Sequence, residues 1–126
     1  MVSQPREIGI GDRFATIEVA EMRVGHRIVL AVSGELDLAT GDTLRASLTT
    51  AIESGGAEIW VDLSAVAFMD STGLRTLLDA RSRLRERSKS LAVICPPGAV
   101  RRVFTVAGLD HELDIYGDRA AAHAAG

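Results

Sequence analysis

The stretch "EIWVDLSAVAFMDSTGLRTLL", Glu58 to Leu78, decides the fold. It opens with a short apolar run, Glu58 to Leu63, of strand length and rich in β-branched and aromatic residues. "SAVAFMD" reads as a loop. A helix is then expected from about Ser71, with Leu74, Leu77, Leu78 and Leu84 recurring at helical spacing on its buried side. A strand followed by a helix within some twenty residues is half of a strand–helix–strand crossover, and "SLAVIC" (Ser90 to Cys95) supplies the second strand.

Upstream, "RIVLAVSGEL" (Arg27 to Leu36) is almost continuously apolar, which suits a strand covered on both faces. "FATIEVAEMRV" (Phe14 to Val24) precedes it across a Gly25-His26 turn, with Phe14, Ile17, Val19 and Met22 as expected inward positions, so the two should form an antiparallel hairpin. Leu44, Leu48, Ala51 and Ile52 then fall at i, i+4, i+7 and i+8. Thr40 is the expected N-cap, Asp42 sits in the positive first turn, and Ser54-Gly55-Gly56 stops the helix. Downstream, Pro97 fits the first turn of a third helix whose stripe is Val100, Val103, Phe104 and Ala107, ending at Gly108. "LDIY" (Leu113 to Tyr116) suits an edge strand.

The expected order is β-β-α-β-α-β-α-β, with an optional final helix. This is an α/β domain with a mixed central sheet of about four to five strands and helices packed on it. Residues 1–12 read as a loose arm, 13–117 as the domain, and 118–126 ("GDRAAAHAAG" from Gly117) as a tail prone to fray. Sites in such sheets gather beyond the carboxyl ends of the strands. "GELD" (Gly34 to Asp37) and "FMDSTG" (Phe68 to Gly73) both follow strands that way, so they should be neighbours in space.

Composition narrows the function. A chain of 126 residues with 47% hydrophobic and 25% charged residues is one globular domain. A net charge of −3 argues against nucleic acid. The arginines between Arg81 and Lys89 are interrupted by Glu86 and read as a solvated helix face. The single cysteine, Cys95, permits no internal disulfide or cysteine-cluster metal site and reads as a buried thiol. The N-terminal residues lack a signal-peptide core, and no apolar run is long enough to span a membrane, so a cytosolic protein without cofactor or metal is expected.

The chemistry concentrates on Ser71. A serine nucleophile needs a base within hydrogen-bond reach. His26 belongs to a turn at the far edge, His111 to a late loop and His123 to the tail. Met69 occupies the place of the first glycine in G-x-S-x-G. A phosphate-binding loop would need a lysine after Gly73, and Lys89 is the only lysine in the chain. No enzyme is expected. A helix cap at Asp70 or Ser71, worth about 1 kcal/mol, accounts for the polar residues. It does not account for Phe68 and Met69 beside it, or for a glycine inside the first helical turn, where alanine would be better by nearly 1 kcal/mol.

"GELDLATGDTLRASL" followed by "VDLSAVAFMDSTGLRTLLDAR" resembles the STAS-domain family, and specifically bacterial anti-sigma factor antagonists. The similarity runs from about Phe14 to Tyr116 and takes in "VRRVFTVAGLD". The resemblance implies a switch rather than a catalyst. The serine of D-S-[ST]-G, here Ser71 between Asp70 and Thr72-Gly73, is phosphorylated by an anti-sigma factor that is also a serine kinase. The unphosphorylated antagonist sequesters that kinase and frees a sigma factor, and a serine phosphatase resets the phosphorylated form. Asp37 matches the acidic residue of the "GELD" loop that helps the partner engage. Phe68, Met69, Asp70, Thr72 and Gly73 complete the expected partner surface. Two alternatives remain open at this point: a STAS subunit of a larger assembly, such as a stress-signalling scaffold or lipid-transport complex, or a small-ligand binder.

Overall fold

Strands form where the apolar runs stand, and pairing fixes their directions. In the computed structural model, which describes residues 16–125, β1 (Ile17–Val24) and β2 (Arg27–Leu36) make the antiparallel hairpin. Helix α1 (Gly41–Glu53) leads to β3 (Glu58–Met69), α2 (Ser71–Arg85) to β4 (Ser90–Ile94), and α3 (Ala99–Val106) to β5 (Asp114–Tyr116). The sheet order is β1-β2-β3-β4-β5, parallel from β2 onward. Right-handed crossovers between successive parallel strands place α1, α2 and α3 on one face. The main core lies there: Ile28, Leu30, Ile59, Val61 and Val93 of the sheet meet Leu48, Ile52, Leu77, Leu84 and Phe104 of the helices. Phe14 and the arm 1–12 fall outside the described residues.

The opposite face is more thinly covered. Residues 118–125, read as a fraying tail, include a helix α4 (Arg119–Ala125). Its Ala122 packs with Val29, Trp60, Ala92 and Ile94 in a second cluster. The Arg27 guanidinium lies 3.8 Å from the centre of the Trp60 ring and pairs with Glu58 at 3.0 Å. Arg119 reaches Asp62 at 2.7 Å, tying α4 to the sheet. Burial raises the Asp62 carboxyl pKa, but hydrogen bonds from Ser64 and the Arg119 charge outweigh it and hold the group below its ordinary value. A depressed carboxylate stabilises the fold above the unfolded-state pKa of about 3.9, and that contribution is lost as pH falls through the lower folded value. Asp62→Asn should therefore cost about 1 kcal/mol at pH 7, because the Arg119 end is open to solvent. The gap to the wild type should close in urea titrations as pH falls below the unfolded-state value and through the lower folded one.

Several expectations change on packing. Met22 is 47% exposed rather than inward. Strict alternation on β1 turns Ile17 and Val19 to the core, so an even-numbered residue must face the other way. "SAVAFMD" is not a loop: β3 continues to Met69 in register with Leu36. The register with β2 shifts twice, between Ala31 and Ser33 and between Gly34 and Glu35. These bulges put extra residues into β3 and break the alternation that would have identified a strand. Thr40 stands at the N-cap position of α1 but its side chain caps nothing. Pro97 precedes α3, whose N-cap is Gly98, and Ala107 is exposed. Cys95 is buried and unpaired, as expected.

Gly34 stands where the second shift begins, with φ of +102°. A Cβ there would lie 2.3 Å from the Thr16 carbonyl oxygen, and that same carbonyl accepts the Glu35 N–H at 2.8 Å. Gly34→Ala therefore meets both an unfavourable φ and a backbone clash. It should cost about 2 kcal/mol in urea denaturation and raise amide exchange at the start of β1.

Candidate functional site

The carboxyl ends of β2 and β3 bring the two motifs together. Leu36 pairs with Met69, and the Asp70 N–H donates to the Leu36 carbonyl at 3.1 Å. A Cβ on Gly41 would sit 2.8 Å from Thr72 Cγ2, so the start of α1 touches the start of α2. The neighbourhood expected from sequence is present.

Asp70 is the N-cap of α2, with extended backbone (φ −115°, ψ −168°), and its Oδ1 accepts the Thr72 N–H at 2.8 Å. The cap fixes the first turn and leaves Ser71 exposed as its first helical residue. The Ser71 hydroxyl makes no hydrogen bond among the described residues, so it is held in place by backbone alone and is free to meet another molecule. Thr72 is half-buried, and its carbonyl accepts from Thr76 Oγ1 at 2.9 Å.

Asp37 orders the neighbouring turn. Its Oδ1 accepts the Ala39 and Thr40 N–H groups at 3.0 and 3.2 Å, and its carbonyl accepts the Gly41 N–H at 2.8 Å. Thr40 Oγ1 donates to the Glu35 carbonyl at 2.7 Å and accepts the Asp37 N–H at 2.9 Å. The threonine expected to cap α1 instead ties the turn to the end of β2. The half-buried Asp37 is thereby fixed beside the Ser71 turn.

Two residues expected on a partner surface are buried. Met69 is 3% exposed and belongs to the main core. Gly73 is also buried: a Cβ there would lie 2.6 Å from Met69 Cγ and 2.9 Å from Leu36 Cδ2. The backbone that glycine admits closely is the protein's own core, not an incoming partner. Phe68, the alternate residue on the strand, is 51% exposed and remains available.

Apolar surface that the sequence reading did not single out surrounds the site. Leu38, in the Asp37 turn, is 84% exposed, and Val106 is 81% exposed. A groove of about 400 Å³ runs between α2 and α3, lined by Ser71, Leu74, Ala99, Arg102, Val103 and Val106. Leu38 carried a signal, since it falls off the Leu44–Leu48 stripe and no strand claims it. The Val106 signal was weaker, because α3 was expected to bury Ala107. His26 lies in the β1–β2 turn, at the end of the sheet opposite Ser71, and no described group of His, Cys, Asp and Glu could hold a metal.

A mixed five-stranded sheet with three helices on one face, and a capped serine beside an acidic turn at its strand ends, define a small α/β domain. The family model described as "Mlab, STAS domain" matches residues 19–116, and the chain belongs to the STAS-domain family. An anti-sigma-B factor antagonist of Listeria monocytogenes is 31% identical over 100 residues, covering 79% of this chain and 87% of its own length. A crystal structure of an anti-sigma factor antagonist from Mycobacterium paratuberculosis superposes with a TM-score of 0.79 at 28% identity, covering 86% of this chain and 92% of that one. The anti-sigma factor antagonist SpoIIAA in its unphosphorylated form gives 0.70 at 26% identity, covering 83% and 93%. No helix among the described residues is long and apolar enough to cross a membrane.

Proposed function

We propose that this chain is an anti-sigma factor antagonist switched by phosphorylation of Ser71. Unphosphorylated, it binds an anti-sigma factor that is also a serine kinase, and the sigma factor held by that protein is released. Phosphorylation of Ser71 by the kinase ends the complex, and a serine phosphatase restores the binding form. The observation that carries the reading is an exposed, rigidly presented Ser71 on the lip of an apolar groove. A kinase needs the first, and a docking partner needs the second.

The geometry supports a role for each residue. Leu74, Val103, Val106 and the exposed ring of Phe68 supply apolar contact area, the kind of surface that carries binding energy when desolvated. Asp70 holds the serine turn through its cap, and Asp37, fixed in the adjacent turn, presents a carboxylate to the partner. Met69, Gly73 and Thr72 shape the turn from beneath. Phosphate at a helix N-terminus is favoured by the dipole by a few tenths to about 1 kcal/mol, so the modification leaves α2 folded.

The test is incubation with the cognate anti-sigma factor and Mg-ATP, followed by intact-mass and fragment analysis. One phosphate, located on Ser71 and absent from Ser71→Ala, is the expected result. A phosphate elsewhere, or a Ser71→Ala protein modified to the same extent, overturns the reading.

A further inference from the structure

Ser71 shares its groove with a cation that makes no ion pair among the described residues. Arg102 projects from α3 into the groove that Ser71 borders from α2, and it is exposed. Most other arginines in the described residues are committed. Arg23, Arg27, Arg45, Arg83 and Arg119 pair with carboxylates, and the neighbouring Arg101 donates its Nη1 to the Cys95 carbonyl at 2.7 Å. Arg102 makes no ion pair among the described residues, nor does Arg75, which lies four residues beyond Ser71 on α2. The acids near Ser71, Asp70 in the cap and Asp37 in the turn after β2, do not line that groove.

We propose that Arg102 is the internal counter-ion of phosphorylated Ser71, so that the phosphate bridges α2 and α3 and closes the groove from within. This rests on Ser71 being the phosphorylated residue. A phosphoserine carries about −1.5 to −2 charges, which Asp70 and Asp37 repel and the Arg102 guanidinium in the groove attracts. The guanidinium fork matches phosphate oxygens in a bidentate arrangement, and no existing ion pair has to break for Arg102 to turn inward. Arg75 adds charge along the helix, in the favourable order of an anion followed four residues later by a cation. The bridge would lie across Leu74 and Val103, the apolar floor that the unphosphorylated protein offers. The switch would then combine a change of charge with an intramolecular cover. Arg102 acts here on the phosphate, not on a reacting atom.

The test uses the full chain with phosphoserine installed genetically at position 71, which makes it independent of any kinase. Phosphorus NMR follows the second ionisation of the phosphate, near 6 for an unpaired group. In the wild-type background it should fall below that of the Arg102→Ala protein by about half a unit, roughly a threefold change in proton affinity. Arg102→Lys should recover only part of the difference, because the charge remains and the fork does not. The shift should shrink as salt is raised to about 1 M. If Arg102→Ala leaves the titration unmoved while Arg75→Ala shifts it, the phosphate lies along α2 and the bridge does not exist. Absence of a phosphate on Ser71 in the kinase experiment would overturn the proposed function and leave this titration readable.

Discussion

Phe104→Ala lowers the stability of this domain by about 3–5 kcal/mol and removes the groove beside Ser71. Phe104 is the only fully buried residue of α3, at 0% exposure, while Val100 and Val103 are half-buried and Val106 is open. An eight-residue helix is too short to hold its shape alone, so tertiary packing keeps it in place, with that ring as its one fully buried anchor and Val100 and Val103 packed beside it. Deleting the ring forfeits its transfer free energy and leaves a void under the helix that backbone relaxation fills only in part. Against a total stability of about 5–15 kcal/mol, the loss is large. The urea midpoint should fall with the slope unchanged, and the melting temperature should drop by more than about 10 °C. Amide exchange should rise first in α3. Val106→Ala provides the contrast: at 81% exposure it should leave stability within about 0.5 kcal/mol of wild type while weakening partner binding. A Phe104→Ala protein as stable as wild type would mean that α3 is held by something other than its core contact.

Legibility in the sequence followed the strength of the local pattern. β2 is readable to the residue, and the α2 stripe nearly so, with Leu74, Leu77 and Leu84 buried and Leu78 half-buried, because a continuous apolar run and leucines at helical returns leave little choice. The second half of β3 was not. Ser64 and Ala65 are exposed before the buried Val66, Ala67 and Phe68 are exposed between it and the buried Met69, and two register shifts spoil the period of two. α4, which the sequence leaves as an optional final helix in a fraying tail, is hard to read for a different reason. Its residues are nearly all alanine, and its attachment depends on one buried methyl and on Arg119 reaching Asp62, fifty-seven positions away. No local window contains such a contact.

The site was legible in its polar residues and misread in its apolar ones. Asp70 caps, Ser71 is exposed, and Asp37 is close by, because capping and strand-end geometry are local rules. The resemblance puts Met69 and Gly73 on the partner surface, and a helix cap by itself explains neither a large apolar residue before the turn nor a glycine inside it. The reason is internal: Met69 occupies the space that a Cβ on Gly73 would need. Composition cannot say on which side of a backbone the crowding lies. Only the continuation of β3 to Met69 turns that side chain inward and leaves Phe68 outside.

Phosphorylation of Ser71, or its nearest genetic imitation Ser71→Glu, should cut affinity for the anti-sigma factor by at least about 100-fold, or 2.7 kcal/mol. The groove that Ser71 borders is apolar apart from Arg102, and a partner seated on Leu74 and Val103 must strip water from whatever stands at position 71. A neutral hydroxyl loses little there. A carboxylate or phosphate without a matching charge on the partner costs several kcal/mol to desolvate, and the partner already has to accommodate Asp70 and Asp37. The domain itself should not change: the Asp70 cap uses backbone donors that the Ser71 side chain does not touch, and the helix dipole favours the added charge. Ser71→Ala should therefore bind like the unphosphorylated wild type, and all three proteins should melt within a few degrees of one another. Calorimetric titration against the cognate anti-sigma factor measures the difference. Glutamate carries one charge on a shorter arm and should bridge to Arg102 poorly, so its effect isolates repulsion and desolvation, and any further loss with true phosphoserine measures the cover drawn over the groove. A Ser71→Glu protein that binds as tightly as Ser71→Ala would remove electrostatic exclusion from the mechanism.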